Sequence, residues 1–438
     1  MTVNNSAPLH KRPIMERMVN PEKIGTPHTA SATKVMLLGS GYLSRELAMS
    51  FQRLGVEVHA VDRVRNAPAQ QVAHVAHAVD VTDAKAVTDL IAQVRPDFIV
   101  PEVERIAANV LTAVEATEQA TVVPNAAAVE LSLNREGVRK LAAEELGLPT
   151  TSYQFVSEFT EFEVAVGSIG YPCVAKPDIG GPGARDHRMI RSEEEVEEAW
   201  RHLTAEASSA PDTVDAAHTA APADREGHRI VVERVIDFDY EVTLVAVRSI
   251  DPATGKLATW FCEPIGCTYQ GGEYTEAWQP AHLPAAALDN ARSVAARVSN
   301  ALGGRGVFSV KMFVAGEDVY FSEVLPRPHC TGLVTLCSQR FSQFDLHARA
   351  VLGLPIDATV VSPGAAAMIL SPGEMDSPQY GGLDQACAVP EATVEFFGKQ
   401  RARKGRVMGV ALASGETTEA AREAAARAAG VITISSVD

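Results

Sequence analysis

The sequence predicts an α/β chain in three parts: a parallel-sheet domain, a central α+β domain, and a small β-rich domain at the C-terminal end. Three observations predict it. Short apolar strands alternate with helical segments from Lys34 onward, the pattern of a parallel sheet with ligands at its carboxyl edge. Between Lys176 and Glu323 come, in order, a strand lysine, a glycine-rich loop, two spaced glutamates and a late Phe-Ser-Glu strand end. From Pro363, two β-rich runs flank a basic loop, and an alanine-rich helix follows.

Residues 1–32 mix Pro, Ser, Thr, Asn and scattered charge without periodicity and read as a flexible tail. Lys34–Leu38 is a strand, Gly39-Ser-Gly41 a tight turn, and Leu43–Leu54 a helix ended by Gly55. Val56–Val61 is the next strand, with Asp62 at its end, and further strands follow at Asp97–Val100 and Thr121–Val123. These elements make residues 33–133 a Rossmann-like substrate-binding domain. Gly39-x-Gly41-x-x-Ser44 with Asp62 approaches a dinucleotide fingerprint, but its third glycine is missing. Asn134–Leu146 reads as a helix stopped by Gly147 and Pro149, and marks the entry to a second domain, 134–358.

In that second domain, Val174-Ala-Lys176 is a short strand ending on a cation able to neutralise nucleotide phosphates. Gly180, Gly181 and Gly183 in the following loop let backbone N–H groups approach phosphate oxygens, with Arg185 beside them. No Gly-Lys-Ser/Thr follows, so this is not a Walker loop. Ile230-Val-Val-Glu233 ends on an acid suited to a ribose hydroxyl or adenine amine, and Glu241 lies on the next strand, Tyr240–Val247. Val319-Tyr-Phe-Ser-Glu323 places a carboxylate where Mg²⁺ would bridge phosphates, since Mg²⁺ takes one or two carboxylates plus phosphate oxygens. This order is that of a grasp-type ATP site, in which ATP activates a carboxylate. Ala205–Gly227, almost without large apolar residues, reads as a mobile insertion.

The last domain, 359–438, carries the strands Ala392–Phe397 and Val407–Leu412 and the helix Thr417–Ala429. Between the strands lies Lys399-Gln-Arg-Ala-Arg403-Lys404-Gly-Arg406, a cation cluster suited to a substrate phosphate.

Composition bounds the function. The chain has 438 residues, 46% of them hydrophobic, and 39 basic against 55 acidic side chains give a net charge of −16. So acidic a surface argues against nucleic-acid or anionic-membrane binding, which rest on basic patches. No run of 18 apolar residues and no apolar signal core occurs, and the six cysteines lack CxxC or zinc-ligand spacing. A cytoplasmic enzyme with reduced thiols is expected.

Lys34-Val-Met-Leu-Leu-Gly-Ser-Gly41, Asn134-Arg-Glu-Gly137, Gly170-Tyr-Pro-Cys173, Pro326-Arg-Pro-His329 and Phe397-Gly-Lys399 resemble the formate-dependent phosphoribosylglycinamide formyltransferases of the ATP-grasp superfamily. The likeness runs from about Lys34 to the C-terminus. It implies a homodimer of three domains that uses ATP and Mg²⁺ to convert formate to formyl phosphate and passes the formyl group to the amine of a phosphorylated ribosyl substrate, glycinamide ribonucleotide. It also implies roles for residues. Nucleotide contacts fall on Arg135, Lys176, the Gly180–Asp186 loop, Glu233 to Ile236, and Glu241. Arg135, Lys176 and Arg327 are the catalytic cations and Glu323 is the magnesium ligand. Substrate contacts fall on Tyr42, Leu43, Glu102, Cys330, Lys399 and Arg406.

Departures from the family pattern cluster at the chemistry. Tyr42 and Cys330 stand where acids are expected, Val407 replaces the second phosphate arginine, and Ala184 replaces the loop lysine, leaving Arg185 one place later. Lys311 stands in Phe308-Ser-Val-Lys-Met312 at a metal-binding glutamate position. A +1 charge about 4 Å from a +2 ion costs roughly 8 kcal/mol at an effective dielectric near 20. Lys311 therefore swings away, takes the place of an ion, or ends metal-dependent turnover. Three alternatives accompany the formyltransferase: a carboxylase of aminoimidazole ribonucleotide using ATP and bicarbonate, a nucleotide-binding paralogue without catalysis, and covalent work by Cys330 activated by His329 and Arg327.

Overall fold

The computed structural model describes residues 23–103, 106–178, 187–208, 229–270 and 273–436. The first part is a five-stranded parallel sheet of β1 (Lys34–Leu38), β2 (Glu57–Asp62), β3 (Val75–Ala78), β4 (Phe98–Pro101) and β5 (Thr121–Val122), in spatial order β3-β2-β1-β4-β5. Four helices cover it: α1 (Tyr42–Arg53), α2 (Ala84–Val94), α3 (Ala108–Ala116) and α4 (Ala126–Ser132). Val35 and Leu37 pack with Leu47 and Phe51 of α1 on one face, while Met36 and Leu38 pack with Leu90, Ile91 and Leu111 on the other. Burial on both faces is why β1 reads as an unbroken apolar run. β3 escapes a sequence reading because its Val-Ala-His-Ala segment is an edge strand, alternately exposed and half-buried.

Residues 23–32, part of the predicted tail, lie against this sheet, with the His28 N–H donating to Glu57 Oε2 at 2.5 Å and the Gly25 N–H to Thr33 Oγ1 at 3.1 Å. Residues 1–22 are outside the described residues.

α5 (Arg135–Lys140) starts on an Asn134 cap, whose Oδ1 accepts the Gly137 N–H at 3.0 Å. The predicted helix to Leu146 is only half α-helical. From Leu141 to Glu145 the chain widens into a π turn, in which the Leu146 N–H reaches the Leu141 carbonyl at 2.9 Å.

A four-stranded antiparallel sheet follows, made of β6 (Tyr153–Val156), β7 (Cys173–Pro177), β8 (Arg188–Ile190) and β9 (Ile230–Arg234) in the order β6-β9-β7-β8. Helices α6 (Phe159–Ile169) and α7 (Val196–Ser208) cover one side, where Cys173, Ala175, Ile230 and Val232 meet Phe162, Val166 and Leu203. Strand alternation then sends Lys176 and Glu233 to the opposite face. α7 runs to Ser208, so residues 205–208 of the predicted insertion are helical; residues 209–227 are outside the described residues.

The remaining long strands form one sheet. They are β10 (Tyr240–Ile250), β11 (Leu257–Phe261), β12 (Ile265–Gln270), β13 (Glu273–Gln279), β14 (Gly306–Ala315), β15 (Asp318–Leu325) and β16 (Gly364–Leu370). Two short ribbons come next in the chain, β17 (Met375–Asp376) with β20 (Arg401–Ala402) and β18 (Gln379–Gly381) with β22 (Thr433–Ser435), around β19 (Ala392–Phe396) and β21 (Val407–Ser414). The large sheet has the order β15-β14-β10-β12-β13-β16-β21-β19, with β11 paired to β10. Pairing of Ala277 with Ala366 carries it across the division drawn from sequence at residues 358/359. Helices α8 (Ala285–Leu302), α9 (Thr335–Ser338), α10 (Gln343–Val351), α11 (Leu383–Cys387) and α12 (Thr418–Gly430) flank it. The alanines of α12, including Ala421 and Ala425, let it lie close on Ala365 and Ala413.

Gly266 in β12 is cross-strand partner to Trp278, and a Cβ there would stand 2.4 Å from the indole. Gly266→Ala is expected to cost about 1–3 kcal/mol by overpacking, read as a lower urea midpoint with an unchanged slope.

Candidate active site

Lys176 and Glu233 project from neighbouring strands of the small sheet into the cleft facing the large one. Lys176 Nζ pairs with Glu233 Oε2 at 2.7 Å, and Arg139 Nη2 pairs with Glu233 Oε1 at 2.5 Å. Arg139 also donates to the carbonyls of Phe321 at 3.1 Å and Ser322 at 3.3 Å on β15. One buried guanidinium thus ties the two sheets together across the cleft. Burial alone would raise the Glu233 carboxyl, but Lys176 and Arg139 outweigh it and hold it down at about 2. Burial lowers Lys176, Glu233 opposes that, and Arg135 and Arg139 add to it. The sequence reading gave Glu233 to a ribose hydroxyl or adenine amine; here both its oxygens are engaged by cations, and it fixes Lys176.

Arg135, the first residue of α5, donates from Nη1 to the Pro177 carbonyl at 2.6 Å, which places it beside Lys176 at the end of β7. His187 opens the segment after the loop and is held neutral, pushed to about 3 by burial and by Lys176 and Arg135. Glu323 faces the same charges: burial raises it, yet Lys311, Arg135 and Lys176 bring it to about 2. Gly180, Gly181, Gly183 and Arg185 are outside the described residues.

Lys311 does not swing away. Its Nζ donates to the Tyr269 hydroxyl at 3.0 Å and pairs with Glu241 Oε1 at 3.3 Å. Glu241, predicted as a nucleotide contact, is therefore first the partner of Lys311. Among the described residues no three His, Cys, Asp or Glu side chains are grouped to hold a metal ion. Glu323 alone with phosphate oxygens still suits Mg²⁺, which keeps few protein ligands.

Glu102 follows β4 as predicted but is enclosed, with no exposed side-chain surface. Its Oε1 lies 3.9 Å from His347 Nε2. His347 Nδ1 accepts the Val307 N–H at 2.9 Å, so a neutral ring carries its proton on Nε2. Burial raises Glu102 to about 8, against the charge of Arg327, and lowers His347 to about 3. Arg327 leaves β15 with its carbonyl accepting the Ser309 hydroxyl at 3.0 Å. Glu102, predicted as a substrate contact, is a protonated acid in a closed pocket in this conformation.

Tyr42 stacks on Phe397 at 4.5 Å, and Lys399 Nζ lies 4.5 Å from the Tyr42 ring centre. Gln71 donating to the Gly398 carbonyl at 2.7 Å holds this loop against the first domain. Arg406 is buried and donates to the Arg401 carbonyl at 2.5 Å. Leu43 and Ile236 are half-buried, Leu43 against the core. Cys330 lies 3.6 Å from His329 Nε2, but burial pushes its thiol up to about 11, the opposite of what a nucleophile needs.

The structure brings Lys176, Arg135, Glu233 and Glu323 within reach of one another's charges, sets Glu241 on Lys311, and places Tyr42 beside both Lys399 and Cys330. Sequence reasoning missed Arg139, His187, Tyr269 and His347. Arg139, in the last turn of a helix carrying Arg135, had the one usable signal, its place four residues after a predicted contact.

Three family models match the chain: a ribonucleotide synthetase preATP-grasp domain over residues 32–132, an ATP-grasp domain over 141–344, and a PurT C-terminal domain over 364–432. The chain is 54% identical over 419 residues to a formate-dependent phosphoribosylglycinamide formyltransferase of Corynebacterium efficiens, covering 95% of this chain and 100% of that one. It is 48% identical over 412 residues to one from Paraburkholderia xenovorans, covering 94% and 98%. Among solved structures, the glycinamide transformylase T of Mycobacterium tuberculosis is similar at a TM-score of 0.73, with 37% identity over 91% of this chain and 100% of that one. An N5-carboxyaminoimidazole ribonucleotide synthetase from Thermotoga maritima shares the fold at a TM-score of 0.75, with 23% identity over 92% and 100%.

Proposed function

The chain belongs to the formate-dependent phosphoribosylglycinamide formyltransferases, and from that premise we propose that it uses ATP to pass the formyl group of formate to glycinamide ribonucleotide in purine biosynthesis. A formate oxygen attacks the γ-phosphorus as the bond to ADP breaks, giving formyl phosphate. The substrate amine then attacks the formyl carbon, phosphate leaves, and the amine proton is released.

Lys176 and Arg135 stabilise charge on the transferring phosphoryl group, largely by being fixed in place beforehand. Glu233 and Arg139 hold Lys176 in that position, and Arg327 adds charge at the acceptor end. Gly180, Gly181, Gly183, Arg185, Ile236 and Glu241 complete the nucleotide site. Glu323 would hold Mg²⁺, which would supply positive charge to neutralise the phosphates. Lys399 and Arg406 take the 5′-phosphate, while Tyr42, Leu43, Glu102 and Cys330 border the acceptor. The division 33–133, 134–358 and 359–438, a homodimer and a cytoplasmic location belong to the same proposal.

The observation that carries this reading is the Lys176–Glu233–Arg139 bridge, with Arg135 and Glu323 facing the same cleft. The carboxylase shares the fold, but the sequence likeness lies with the formate users. Purified protein is expected to release ADP only with both formate and glycinamide ribonucleotide, and mass spectrometry is expected to find the formylated product. ADP release driven by bicarbonate and aminoimidazole ribonucleotide would transfer the assignment to the carboxylase; nucleotide binding without turnover would leave a binding protein.

A further inference from the structure

Lys311 lies in mid-β14, paired in register with Thr243 of β10 on one side and Glu323 of β15 on the other. Paired residues share a sheet face, and Glu241, two residues from Thr243, lies on that face too. The ammonium therefore stands between two carboxylates that come from opposite sides of its strand. It is also immobilised: Tyr269 Oη lies at 3.0 Å, Glu241 Oε1 at 3.3 Å and the Tyr269 ring centre at 5.2 Å, and the Lys311 side chain is 15% exposed.

Two carboxylates meeting at a phosphate site ordinarily draw a divalent ion. Here the place between them is filled. A dication bound to Glu241 would stand beside a fixed ammonium and take away its counter-ion, an arrangement that repulsion disfavours. Glu323 lies across β14 from Glu241, so it can hold an ion on its own outer side. An ammonium has three donors, and two are directed at Tyr269 and Glu241, which leaves one for an incoming oxygen.

We propose that Lys311 is a built-in cation of the nucleotide site, taking the place of one divalent ion between Glu241 and Glu323, contacting a terminal phosphate oxygen, and leaving a single Mg²⁺ held through Glu323. This rests on the nucleotide-binding reading above. It makes Lys311 a binding residue in its own right and Glu241 its counter-ion rather than a metal ligand.

The test counts metal by electron paramagnetic resonance as Mn²⁺ is titrated into the full-length protein with the non-hydrolysable β,γ-imido analogue of ATP, whose own binding is followed by calorimetry. A single Mn²⁺ per bound nucleotide is expected in the parent and in Lys311→Met, with the analogue bound roughly tenfold to a hundredfold more weakly by Lys311→Met. Lys311→Glu is expected to take up a second Mn²⁺. Two Mn²⁺ per nucleotide in the parent, or parent-like affinity in Lys311→Met, would overturn the proposal even where Lys311→Glu does not fold. No heat of analogue binding in the parent would instead remove the nucleotide reading on which it rests.

Discussion

Lys176→Met is expected to lower the rate of formyl transfer by about 10²–10³-fold, the usual effect of removing one fixed donor to developing charge. The reason lies in how the lysine is held. Its ammonium is tied at 2.7 Å to Glu233, itself anchored by Arg139 to β15, so the charge is positioned before any nucleotide arrives. Methionine keeps the length and the apolar stem and removes only the charge. It also leaves Glu233 with one cation instead of two. Truncating one member of a buried ion pair costs about 3–5 kcal/mol, and the remaining Arg139 contact keeps the loss toward the lower end. Lys176→Arg separates the two effects: the ion pair and the melting temperature are expected to return, while turnover stays low because the guanidinium carries its charge differently. Steady-state kinetics with thermal melts on the three proteins measures this. Turnover by Lys176→Met close to the parent would show that the bridge only supports the fold.

Glu102→Gln is expected to make the protein more stable in alkaline solution. Burial raises Glu102 from 4.5 to about 8, so between those values the folded protein keeps a proton that the unfolded chain has released. Stability is lost as pH rises through that window, in all by about 5 kcal/mol at 1.36 kcal/mol per unit. His347 acts in the other direction. Its folded value of about 3 lies below the ordinary 6.5, so stability is gained as pH rises toward 6.5 and changes no further above it. Glu46, raised by burial to about 7, has released most of its proton by the upper part of the window. From about pH 7 to 8 the fall therefore belongs mainly to Glu102. Above that, Cys173, Cys262, Cys267, Cys330 and Cys337, whose buried thiols are raised from 9 to about 11 or 12, add a loss of their own as the unfolded chain's thiols ionise. Glutamine has nearly the same shape and no charge to release. Between pH 7 and 8 the melting temperature of the parent is expected to decline while that of Glu102→Gln falls much less; parallel curves would mean that Glu102 is ionised in the folded protein.

Much of this was legible along the chain. The apolar runs of β1 and β2, the Asn134 cap, the strand that ends on Lys176 and the alanine-rich last helix each declare themselves within a few residues, because periodicity and capping are local. Asp62, part of an incomplete dinucleotide fingerprint, accepts the backbone N–H groups of Ser40 and Val64, each at 3.0 Å, and so braces the turn. The π turn after Lys140 was not legible, since it differs from the α-helix only in which carbonyl each N–H selects.

The sequence by itself determined that this is an ATP-grasp chain of the formyltransferase type, with its strand lysine, its paired glutamates and its late strand acid. Only the tertiary structure decided what those charges do to one another. Glu233 meets an arginine 94 residues away, Lys311 a tyrosine 42 residues away, and Glu102 a histidine from a distant helix. Alternation fixes which way a side chain faces, but the partner it meets is set by how separate sheets pack, and an ion pair's strength depends on the burial that packing creates.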